Sequence, residues 1–154
     1  MNKFSARIDL TVRVQYMETV PRVRIAFGSH VMWDDLLPDS GTLTFDTPDM
    51  PAGTHTLSIK LLNKDESELQ RFGQDMMISI DSVRVQRYDH EFAIYSEYEP
   101  EYPEPWYTQQ CEAGTEPPRV IHSNYIGWPG EWRLPISLPV YRWIHQRTSQ
   151  GWLI

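Results

Sequence analysis

Four stretches of this chain alternate apolar with polar residues at a period of two, the period of half-buried strands. In Ala6–Val14 the apolar set is Ile8, Leu10, Val12 and Val14, and after Pro21 it is Val23, Ile25 and Phe27, with Arg22 and Arg24 on the other face. Thr54–Leu62 alternates through Leu57, Ile59 and Leu61; beyond a polar loop, Met77, Ile78, Ile80, Val83 and Val85 form the strongest pattern. Its parity changes at Asp81-Ser82, where a β-bulge is therefore expected.

Shorter extended pieces are predicted at His30–Trp33, in GTLTFD around Leu43 and Phe45, and at Glu91–Tyr95. Turn formers separate them: Gly28-Ser29, then Pro38, Asp39 and Gly41, then Pro48, Pro51 and Gly53. Short strands with turns between them and no helical pattern predict an all-β chain, an antiparallel β-sandwich spanning residues 1–95.

From Ser96 the chain changes in kind. Ser96–Pro118 holds five prolines and six glutamates interleaved with Tyr98, Tyr102, Trp106 and Tyr107. Prolines this dense remove backbone donors and favour extended chain. The C-terminal part carries Trp128, Trp132, Trp143 and Trp152, four of the six tryptophans, with an extended piece at Glu131–Ser137 and a short helix begun by Pro139. Residues 96–154 are thus expected to form an extended, mostly irregular C-terminal arm.

Charge follows the same division. The formal net charge is −7, yet Tyr88–Pro118 alone has eight acids and no Lys or Arg, leaving +1 for everything else. A phosphate backbone would be repelled there, so nucleic acid is not an expected partner. No apolar run approaches the roughly 20 residues of a spanning helix, and MNKFSARIDL lacks the apolar core of a leader, so no membrane partner is expected. Cys111 is the single cysteine, which rules out an internal disulfide and argues against a cysteine-based zinc site.

No motif supports catalysis. Carboxylates are numerous but fall on expected turns and the proline-rich stretch, without a pairing that would raise one pKa. His30, His55, His90, His122 and His145 show no metal-binding spacing, and neither a nucleophile elbow nor a glycine-rich phosphate loop is present. The aromatics are the stronger signal, because rigid rings anchor protein interfaces and stack on the apolar faces of sugars. Trp33, Tyr98, Tyr102, Trp106, Tyr107, Trp128, Trp132, Tyr141 and Trp143 are the candidate binding or interface residues. The loop Asn63–Asp75 is a second candidate: Asn63, Asp65, Glu66, Glu68 and Asp75 offer the oxygens a hard cation needs, or are simply solvated.

The sequence around this loop resembles calcium-dependent, xylan-binding carbohydrate-binding modules of the jelly-roll β-sandwich type. The matching residues are Leu57–Asn63, Gly73-Gln74-Asp75 and Ile78–Val85, with GTLTFDTPDMPAGTHTLSIKL as lead-in, about 45 residues from Gly41. The resemblance implies a calcium held by Asp75, the Gln74 carbonyl and, with a shifted loop, Asp65. Lys64 stands where the family has Asp, and Met76-Met77 where it has Arg-Asn. More loosely, YIGWPGEWRLPISLPVYRWI resembles endings of small structural proteins of tailed bacteriophages, through Gly130, Trp132, Ser137, Pro139, Tyr141 and Trp143.

Together these imply a non-enzymatic structural component of a phage virion, made in the host cytoplasm and assembled through its arm with other virion proteins or as a homo-oligomer. The alternative is a carbohydrate-binding module recognising glycans through calcium or through exposed aromatics such as Trp33 and Trp106. No cofactor is expected beyond a possible Ca2+.

Overall fold

In a computed structural model, residues 2–86, 88–89 and 95–147 are described. The four alternating stretches become strands β2 (Arg7–Gln15), β3 (Arg22–Phe27), β7 (Gly53–Leu61) and β8 (Met77–Val85). Between them lie β4 (His30–Leu36), β5 (Gly41–Asp46) and β6 (Met50–Pro51); β1 (Lys3–Phe4) precedes them. Then come helix α1 (Ser67–Phe72), and strands β9 (Tyr88–Asp89) and β10 (Glu97–Pro100). Helix α2 (Trp106–Glu112), β11 (Tyr125–Ile126), β12 (Gly130–Leu138) and α3 (Val140–Arg147) complete the elements of the described residues.

The strands form an antiparallel β-sandwich, as expected from their period. One sheet runs β10-β12-β7-β3-β4, the other β11-β8-β2-β5 with β9 beside β8, and β1 pairs with β6. Alternation places one parity inside: Ile8, Leu10 and Val12 of β2 face the gap with Ile78, Ile80 and Val83 of β8, opposite Val23, Ile25, Leu57, Ile59 and Leu61. Each such side chain removed from water contributes about 1.5–3 kcal/mol. The bulge falls where the parity changes: Thr11 pairs with Ser82 and Val12 with Ile80, leaving Asp81 as the extra residue.

The expected arm is corrected by its pairing. β12 runs antiparallel to β7 along its whole length, Trp132 opposite Ile59 and Leu134 opposite Leu57, and β10 pairs with β12, Tyr98 opposite Trp132. Ile126 of β11 pairs with Ile78 in the other sheet. The C-terminal segment therefore supplies strands to both faces of the sandwich. Its odd-even pattern in EWRLPISL is strand-like, but prolines upstream masked its partnership. Among the described residues of this segment the long irregular stretch is 101–124, and even there α2 forms, with Cys111 exposed on it.

Two smaller differences follow from local chemistry. α1 was missed because six residues are too few for a readable helical period; Gly73, at φ 76°, closes it in the left-handed conformation. β4 continues past Trp33 to Leu36 because Asp34 pairs across the strands with Arg22 and Arg24, both at 3.0–3.3 Å. The strand expected at Glu91–Tyr95 lies, but for Tyr95, outside the described residues, as does Trp152.

Candidate functional site

The outer face of the β10-β12-β7-β3-β4 sheet carries the polar parity of each strand. Register aligns Glu99, Glu131, Lys60, Arg24 and Asp34 in one row across it. Opposite signs meet in that row at Glu131–Lys60 and at Arg24–Asp34, and ion pairs tie it together and to its flanks: Lys60 to Glu131 at 3.5 Å, and Arg133 and Arg119, from outside the row, to Glu99 at 3.1 and 3.0 Å. Arg119, then Arg133, hold the Glu99 carboxyl below its ordinary value by donating hydrogen bonds to it. Glu99 is accordingly an ionised acceptor.

At the β10 end this face becomes the floor of a cleft of ≈ 760 Å³, bordered by Lys60, Glu99, Tyr102, Tyr107, Glu116, Arg119, Glu131 and Arg133. The irregular excursion after β10 raises its wall. Tyr102 and Tyr107 stack with ring planes 4° apart and centroids at 5.8 Å, and Trp106 and Trp128 stack at 5.9 Å. Tyr102 meets Trp128 edge-on at 5.1 Å, so the four rings form one cluster that fastens α2 to the turn before β12. Such aromatic pairs add about 0.5–1.5 kcal/mol beyond burial. Tyr102 donates its hydroxyl proton to the Pro118 carbonyl, and Tyr107 donates to Glu116 Oε1 at 3.1 Å. Cys111 first, then Glu116, pushes the Tyr107 phenol up to about 12, so it remains a neutral donor.

Gly130 makes the approach of floor and wall possible. Its φ is +132°, and a Cβ there would overlap the Glu99 carbonyl and lie 2.7 Å from Pro100 Cα. Only glycine lets β12 start this close to the end of β10.

The nine aromatics singled out from the sequence divide into two groups. Tyr98, Trp132 and Trp143 are 1%, 0% and 2% exposed, members of the central core and unavailable to a partner. Tyr102, Tyr107 and Trp128 are half-buried and Trp106 exposed in the cluster at the cleft, while Trp33 is half-buried on β4 and Tyr141 stands exposed on α3. The charged residues Lys60, Glu99, Arg119, Glu131 and Arg133 were not anticipated. Their signal was present only as the outward parity of strands whose pairing order the sequence does not display.

The second candidate, the β7–β8 loop, is occupied by its own contacts. Asn63 accepts the Arg22 N–H at 2.6 Å and donates to the Val20 carbonyl at 2.9 Å. Asp65 accepts from Ser67 Oγ and N at 2.6 and 3.0 Å and from Thr19 Oγ1 at 2.8 Å; Ser67 foremost, then Thr19, holds its pKa down, and Arg71 lies 3.5 Å away. Glu68, fully buried, accepts the backbone N–H groups of Met17, Glu18 and Thr19. Burial raises its carboxyl, but the three N–H donors outweigh it and the net shift is downward. Asp75 pairs with Lys64, and Gln74 is exposed. Among the described residues no three His, Cys, Asp or Glu side chains converge as a metal site.

No family model matches the chain, and no curated protein does. Among solved structures it is similar to vCBM60, reported under a description of circular permutation linking two families of calcium-dependent carbohydrate-binding modules. The TM-score is 0.52 at 9% identity, covering 84% of this chain and 89% of that one. A structure of vCBM60 in complex with galactobiose is similar at TM-score 0.51 and 9% identity, covering 84% and 99%. The similarities found include no phage structural protein. At this identity the likeness shows the fold alone: the chain has a β-sandwich similar to that of vCBM60.

Proposed function

We propose that the chain is a non-catalytic glycan-binding module whose site is the cleft between the charged outer sheet face and the Tyr102–Tyr107 wall. The observation that carries this reading is the juxtaposition of two stacked tyrosine rings with a sheet face that presents ion-paired carboxylates and cations. Sugars present apolar C–H faces and hydroxyls that both donate and accept; stacked rings suit the first, and Glu99, Glu131, Lys60 and Arg133 suit the second. The volume falls within the roughly 300–1,000 Å³ of small-molecule sites. Glu99, held ionised, serves as an acceptor and not as the general acid a glycosidase requires. The shared fold with carbohydrate-binding modules supports the same reading.

The test is a glycan array followed by calorimetry on the best ligand, with galactobiose and xylan oligosaccharides included. Tyr107→Ala and Glu131→Ala are each expected to weaken binding about tenfold, roughly 1.4 kcal/mol. Absence of any glycan ligand, or unchanged affinity in both variants, defeats the proposal.

A further inference from the structure

We infer that the Lys64 ammonium is the built-in cation of the β7–β8 loop and closes, without metal, the connection at which the sequence resemblance places calcium. The Lys64 side chain is only 1% exposed, although lysine ordinarily keeps its charged end in water. Its Nζ donates to Asp75 Oδ1 and, at 2.6 Å, to the Met76 carbonyl. One carboxylate and one backbone carbonyl are the oxygen types a hard cation would take. Here an ammonium has both.

The remaining oxygens do not complete a calcium shell. Such an ion needs about six to eight of them. Asp65 is committed to Thr19, Ser67 and Arg71, and Glu68 to the backbone of residues 17–19. A divalent ion added beside Asp75 would meet a resident positive charge in a poorly solvated place, where repulsion is strong. The expected Asp65, Gln74 and Asp75 set therefore does not fit calcium. The loop instead ties itself to residues 17–22 through Asn63, Asp65 and Glu68, with the Lys64–Asp75 pair closing its base.

This inference does not depend on the glycan reading, because its readout is stability. Thermal unfolding of the wild-type chain in calcium chloride and in chelator should give the same Tm, and calcium titration calorimetry should give no binding heat. Lys64→Met, which leaves Asp75 without its partner, should lower Tm by on the order of 5–10 °C. If that variant does not fold, Asp75→Asn probes the pair from the other side, and a lowered Tm is again expected. A calcium-dependent rise in wild-type Tm, measurable calcium binding, or an unchanged Tm in the substituted chain overturns the inference.

Discussion

The Tyr98 hydroxyl donates to the Trp128 carbonyl and accepts the Trp128 N–H at 3.2 Å, so one buried side chain of β10 holds both backbone groups of a residue in the cleft's aromatic cluster. Burial raises the Tyr98 phenol well above its ordinary value, keeping it a donor at all accessible pH. Tyr98→Phe keeps the ring in the core and removes only these bonds. It should cost about 1–2 kcal/mol in urea unfolding, and, under the proposed glycan-binding reading, ligand affinity should fall as Trp128 loosens.

Gly130→Ala should be far more severe. The added Cβ meets backbone, which cannot swing aside as a side chain does, and the positive φ adds strain. A loss of about 3 kcal/mol or more is expected, or failure to fold, read by thermal unfolding. A Tm within a degree or two of wild type would mean β10 and β12 do not approach as described.

Glu68 predicts a stability that depends on pH. Its folded-state pKa lies below the ordinary 4.5, so its stabilising contribution is complete above that value and is lost as pH falls through the lower folded value. Glu68→Gln should lower stability at neutral pH by about 1–3 kcal/mol, because an amide replaces a charged acceptor of three N–H groups. It should also flatten the decline in urea-derived stability below pH 4.5. A decline as steep in the variant as in the wild type would assign the acid sensitivity to other groups.

The cleft floor makes an electrostatic prediction. Arg119 and Arg133 both depress Glu99, Arg119 foremost, so Arg119→Ala and Arg133→Met should each move the Glu99 carboxyl upward toward 4.5 in a carbon-detected NMR titration. Stability should change little, since Arg119 is largely exposed and solvent screens such pairs. A Glu99 titration indifferent to both changes would remove the ion-pair row from the site.

Much of the sandwich could be read locally. Ile8, Leu10 and Val12 announce β2 by parity alone, and Asp81-Ser82 announces the bulge, because side-chain direction in a strand alternates with each residue whatever the partner. The glutamates, prolines and aromatics after Ser96 misled for a related reason: composition there describes a chain segment, whereas β10 is a four-residue strand whose membership depends on Trp132 across the ladder. The aromatics of the cleft were visible, but Lys60, Glu99, Arg119, Glu131 and Arg133 were not separable from ordinary surface charge.

Spacing between near neighbours alone marks β2, β3, β7 and β8 as strands and shows which side of each is apolar. Tertiary structure alone decided that Trp132 lies opposite Ile59, that Tyr98 and Trp143 enter the core, and that the acidic excursion walls a cleft. It also decided the character of the β7–β8 loop. Lys64 and Asp75 are eleven positions apart, and the sequence presents the first only as a departure from the resembled family's Asp and the second as a metal ligand. Only when the strands close does burial leave each charge no better partner than the other, because desolvated ions must be neutralised where they stand.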